Sequence, residues 1–90
     1  MKIRRLIWDE WNIEHTAKHG VSREEIEEAC FAKHFDIKSG KGKMAVWGQR
    51  DAGRYLIVIL GIREYDDFYP ISARDMDEKE KRFYKKWLKR

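Results

Sequence analysis

The sequence predicts an α+β domain, with two N-terminal helices and one C-terminal helix packed on an antiparallel β-sheet. Three observations carry this expectation. Residues 56–60 (Leu-Ile-Val-Ile-Leu) are aliphatic at every position, the pattern of a short central strand covered on both faces. Two capping boxes, Ser22 with Glu25 and Asp75 with Glu78, mark helix starts. Between them lie short β-prone runs separated by turn residues.

Taken in order, residues 2–8 read as a first strand. Asp9 is placed to cap a short helix over residues 12–19, and Gly20 suits the left-handed position that ends it. A helix this short depends on packing for its existence. Val21 and Ile26 form a hydrophobic staple around the Ser22 box, so a second helix spans residues 22–31, with Ile26, Ala29 and Cys30 on its inner side. Residues 35–38 and 43–48 read as strands joined by Ser-Gly-Lys-Gly, and residues 49–53 as a turn into the central strand. The last strand covers residues 68–74; its Pro70 cannot donate to a ladder, which predicts an edge or a bulge. The Asp75 box then opens a helix to residue 89, with Met76, Phe83, Tyr84, Trp87 and Leu88 on one stripe.

Ninety residues support a single domain, residues 1–90, with a modest core helped by four Trp, four Tyr and four Phe. The net charge of +4 and pI near 9.3 favour an anionic partner, with nucleic acid ahead of a membrane surface. The single cysteine, Cys30, excludes an internal disulfide and a thiolate metal cluster, which fits a reducing, cytoplasmic setting. No apolar run approaches the roughly 18 residues that read as a membrane span. No phosphate loop, serine elbow or zinc-protease motif is present, so no cofactor is expected.

Three groups of side chains could carry chemistry. Arg54, Arg63 and Arg74 fall at strand ends; guanidinium groups bind phosphate bidentately, or these three pair with Asp66, Asp67 and Asp75 as a solvated rim. His15 and His19, four apart on one helix face, lack a third ligand for zinc. They suit acid–base work, or His15 is a surface residue and His19 closes the helix. Trp47 and Tyr55 border a turn beside basic residues; they are stacking platforms for unpaired bases or parts of the core.

Several motifs together resemble the BrnT family of ribonuclease toxins from type II toxin–antitoxin pairs. They are Trp8-Asp9-Glu10-x-Asn12, Lys18-His19-Gly20-Val21-Ser22 with Glu25, Ala29 and Phe31, Gly53-Arg54-Tyr55-Leu56, Arg63, and Ile71-Ser72-Ala73-Arg74. The resemblance implies a RelE-like fold and a toxin that cleaves mRNA without a metal, through attack of the substrate 2′-OH. It implies His19, Arg54, Arg63 and Arg74 as the positions at stake: Arg63 and Arg74 stabilise charge, Arg54 binds substrate and His19 moves a proton, while Trp47 and Tyr55 remain the substrate-binding candidates that the residues themselves suggest. It further implies a ribbon-helix-helix antitoxin of the BrnA kind as partner, with operator DNA reached only through that antitoxin. One segment departs from the family pattern. Many members carry a histidine and glutamates before the second meander strand, whereas here the chain reads Ser39-Gly-Lys-Gly-Lys43. The alternative reading that follows is a catalytically degenerate module that binds RNA or antitoxin without cutting.

Overall fold

In the computed structural model, which describes residues 2–50 and 53–89, the order of elements is β1 (Arg5–Leu6), α1 (Glu10–Lys18), α2 (Arg23–Phe31), β2 (His34–Lys38), β3 (Lys43–Gln49), β4 (Tyr55–Ile62), β5 (Asp67–Asp75) and α3 (Glu78–Leu88). The strands form one sheet in the order β1-β5-β4-β3-β2, so the aliphatic run of β4 is central, as its composition requires. The meander from β2 to β5 is antiparallel throughout. The edge pairing of β1 is parallel to β5 and only two residues long, which makes the sheet mixed. The rest of the predicted first strand, residues 2–4 and 7–8, has no regular secondary structure. Residues 51 and 52 of the predicted turn lie outside the described residues.

Local chemistry sets each helix. Asp9 accepts from the Asn12 backbone N–H at 3.0 Å, and the Asn12 side chain accepts in return from the Asp9 N–H at 2.9 Å. His19 is the C-cap of α1, and Gly20 follows at φ 78°, a conformation that glycine adopts without a Cβ penalty. Ser22 and Glu25 form the reciprocal box that opens α2. The third helix starts two residues later than predicted. Its cap is Asp77, boxed with Glu80, because β5 runs on to Asp75, which pairs with Leu56, and the Met76 N–H donates to the Tyr55 carbonyl at 2.9 Å. Met76 is thereby buried against the sheet.

The strand pairing assigns side chains to faces. Leu56, Val58 and Leu60 meet Val21, Ile26, Ala29 and Cys30 in a core beneath α1 and α2. Ile57 and Ala45 meet Met76 and Tyr84 beneath α3, with Phe35, Trp47, Tyr55 and Trp87 packed around them. Cys30 is fully buried, and burial pushes its thiol up to about 12. Pro70 sits beside a bulge: Ile59 opposes Ser72 while Leu60 opposes Pro70, which leaves Ile71 as the extra residue. It also lies beyond the two residues of β5 that β1 covers. Among the described residues, no helix is long and apolar enough to cross a membrane.

Candidate active site

Because β1 stops after two residues, the outer side of β5 is left to α1, which packs beside it. Residues four apart stack on one helical face. Trp11, His15 and His19 therefore form a single row along α1. The Trp11 and His15 rings stack at 4.6 Å between centroids, and the His19 ring meets His15 edge-on at 4.9 Å. On the adjacent strand Tyr69 continues this row, 6.5 Å from Trp11, and its hydroxyl donates to the Asp9 carboxylate at 2.9 Å. The Asn12 backbone N–H and the Tyr69 hydroxyl hold the Asp9 carboxyl below its ordinary range. Burial and the Asp9 carboxylate raise the Tyr69 phenol.

The histidines border an open cleft of about 360 Å³, whose floor is Ile57, Ile59, Ser72 and Ala73 and whose other wall is Arg74. Arg74 opposes Ile57 and Ser72 opposes Ile59, so both project on the face that α3 partly covers. The Arg74 guanidinium donates to both oxygens of Glu80 at 2.8 and 2.9 Å. Glu80 belongs to the capping box of α3 as well, so the first turn of that helix fixes where Arg74 sits. The Arg74 guanidinium, with help from the Asp77 N–H, pulls the Glu80 carboxyl down to about 2. Arg74 keeps a side-chain exposure of 60%, which leaves it open to a ligand in the cleft.

The three arginines do not converge on one point. Arg54 turns to the other face of the sheet, where it donates to Asp75 at 3.0 and 2.9 Å, to Glu25 at 3.1 Å and to the Gly20 carbonyl at 2.7 Å. It ties β5, α2 and the α1–α2 turn together. The hydrogen bonds it donates to Asp75, then Glu25, raise its pKa and keep it cationic. Arg63 shares the face of Arg74 but lies towards the other end of β5. It folds over Gly61, where an added Cβ would be 2.9 Å from its Nη1, and its Cζ lies 5.0 Å from the Tyr69 ring centroid.

Trp47 and Tyr55 also point to this face, but into the aromatic cluster under α3. Trp47 stacks on Phe35 at 5.1 Å and meets Phe83 at 5.9 Å; Tyr55 meets Tyr84 at 5.9 Å and lies beneath Lys81 and Lys85. Of the expected site residues, the fold brings His19 and Arg74 to one cleft and sets Arg63 further along the same face. It brings His15, the other acid–base candidate, to the same cleft, with Trp11 and Tyr69 beside it. The spacing of residues 11, 15 and 19 is the signal that finds the first two; Tyr69 has no such signal, because the bulge in β5 decides its neighbours. Among the described residues, no three His, Cys, Asp or Glu side chains gather as a metal-binding group.

No protein-family model and no curated protein matches this chain. Among solved structures it is similar to the Brucella abortus ribonuclease toxin BrnT, with a TM-score of 0.63 at 23% identity. The similarity covers 82% of this chain and 97% of the toxin's, so the two share a fold across nearly the whole of the Brucella protein.

Proposed function

We propose that this chain is a ribonuclease toxin of the BrnT kind, an endoribonuclease that cuts mRNA in the cleft between α1 and β5. The observation that carries the reading is the meeting of His15 and His19 with Arg74 around one open cleft, in the fold of a ribonuclease toxin. Cleavage at an RNA phosphodiester needs a base for the 2′-OH, an acid for the leaving 5′-oxygen and positive charge near the phosphoryl oxygens. The 2′-oxygen attacks the adjacent phosphorus as one imidazole takes its proton. The bond from phosphorus to the 5′-oxygen breaks as a protonated imidazole supplies the other. The products are a 2′,3′-cyclic phosphate and a 5′-hydroxyl, and the route calls for no metal. His19 and His15 share the proton transfers, and Arg74 neutralises charge on the phosphorane-like transition state. Arg63 binds a neighbouring stretch of the same RNA, and Arg54 holds the scaffold. As a toxin the chain would act in the cytoplasm and pair with a ribbon-helix-helix antitoxin.

Purified protein incubated with RNA in chelator tests this. The expected outcome is cleavage with cyclic-phosphate ends, reduced about 10²-fold or more in His19→Ala and in Arg74→Ala. Intact RNA, together with an Arg74→Ala variant no less toxic to cells, overturns it. One observation favours a second reading, a module that binds RNA or antitoxin without cutting: Glu80 already satisfies Arg74 and offsets its charge. That reading predicts RNA binding that weakens steeply with salt and produces no cleavage.

A further inference from the structure

We infer that Trp11, Tyr69 and Arg63 form a second subsite, which holds one unpaired base and its phosphate beside the His15–His19–Arg74 cleft. The inference rests on the ribonuclease reading for its substrate and for the RNA contact of Arg63, and adds Trp11 and Tyr69, which that reading leaves unused. Trp11 is 53% exposed, whereas Trp8, Trp47 and Trp87 are all partly buried against a core. An indole left this far in water gains little for the fold. It is nonetheless held in place, stacked on His15 and close to Tyr69. An ordered and accessible aromatic surface is what a nucleobase stacks on, with little sequence preference because every base has a π-face.

The charge beside it is available. Arg4 and Arg5 hold Asp67, Arg54 holds Glu25 and Asp75, and Arg74 holds Glu80. Among the described residues no carboxylate pairs with Arg63; its contacts are the Ile62 carbonyl at 3.2 Å and the Tyr69 ring. With no carboxylate among the described residues to offset its charge, the guanidinium can take a phosphate through the N–H groups that Ile62 does not use. Beyond Arg63 the surface opens into a second cleft of about 670 Å³, lined by both basic and acidic side chains, Arg4, Arg5, Glu64 and Asp67 among them. Trp11 and His19 are eight residues apart on α1, roughly 12 Å along its axis. With His15 stacked on the same ring at 4.6 Å, a base on Trp11 lies immediately beside the cleft. Duplex RNA cannot present a base to this ring, so the subsite selects single strands.

Fluorescence anisotropy with two labelled 2′-O-methyl oligonucleotides of equal length, one carrying bases and one abasic, tests the subsite without cleavage. Wild-type protein should bind the base-bearing strand about tenfold or more tightly than the abasic one. Trp11→Ala should bring the two affinities together, and Trp11→Phe, which keeps a ring, should restore most of the difference. Arg63→Ala should weaken both strands and lower the slope of affinity against salt by about one. An unchanged base-to-abasic ratio in a folded Trp11→Ala protein overturns the subsite, as it would if the ring served a protein partner instead. The outcome is separable from catalysis. A ratio that depends on Trp11 in a protein that leaves RNA intact removes the ribonuclease and keeps the subsite; cleavage with an unchanged ratio does the reverse.

Discussion

The two faces of the sheet differ in how completely they are closed. On one, α1 and α2 seal Leu56, Val58 and Leu60 from solvent, and the arginine at the margin, Arg54, is bound to two carboxylates and a carbonyl. On the other, α3 covers Ala45 and Ile57 but leaves Ile59 partly exposed in a cleft, with Arg74 on its wall and Arg63 further along the same face. Both faces are aliphatic at β4, so hydrophobicity does not distinguish them. The difference lies in the number of helices available. Two helices suffice for one face of a five-stranded sheet, and a single helix of 11 residues does not suffice for the other. The incompletely covered face is the one that can bind.

The closed face should be intolerant of added volume. A Cβ at Gly48 would collide with the Ala29 carbonyl of α2, so Gly48→Ala forces the helix off β3. Its cost should reach the upper end of the roughly 1–3 kcal/mol typical of overpacking, or exceed it, as a large fall in melting temperature. If the melting temperature is unchanged, α2 is less firmly seated than its contacts indicate.

Arginine exchanges sharpen the comparison more directly. Arg54→Ala strips Glu25 and Asp75 of their partner and should destabilise the fold by about 1–2 kcal/mol, partial exposure of the pair being allowed for, while the RNA affinity of the folded fraction stays the same. Arg63→Ala should do the opposite: stability within about 0.5 kcal/mol of wild type and weaker RNA binding. Denaturant melts beside binding isotherms would separate the two. Equal effects on both quantities would break the distinction between the faces.

The smallest effect concerns Glu80. Its carboxyl is lowered to about 2 in the folded chain by Arg74 and the Asp77 N–H, against an ordinary value of 4.5. The stability it contributes is therefore present above about pH 4.5 and is lost as pH falls towards 2. Glu80→Gln should remove that part of the acid dependence, on the order of 0.2–1 kcal/mol, with little change in shape near neutrality. Acid melts of the two proteins that superimpose between pH 4.5 and 2 would show that the Arg74 contact adds nothing.

Much of this was readable along the chain because it is local. The Ser22–Glu25 box, the Asp9 cap and Gly20 act within a few residues of themselves, and the helices they delimit stand within about two residues of where the pattern puts them. The helix cap at Asp77 was not readable against the equally good box at Asp75, because strand pairing with Leu56 settles which aspartate is used. Trp47 and Tyr55 stand in strands beside basic residues, and only the arrival of α3 half-buries them against a core. Trp11 presents the converse case, an aromatic on an amphipathic helix that ends up half in solvent.

By itself the sequence determined the order of elements, the central place of β4, the basic surface and the histidine pair on one face of α1, since each follows from propensity, capping or periodicity within a short window. Tertiary structure alone decided which arginine is structural and which is free. Arg54, Arg63 and Arg74 look alike in the chain, and their roles depend on which carboxylates lie within reach after folding: Asp75 and Glu25 for the first, Glu80 for the third, and among the described residues none for Arg63. Those partners come from other elements, up to 29 residues away, at distances set by strand register and helix docking rather than by spacing.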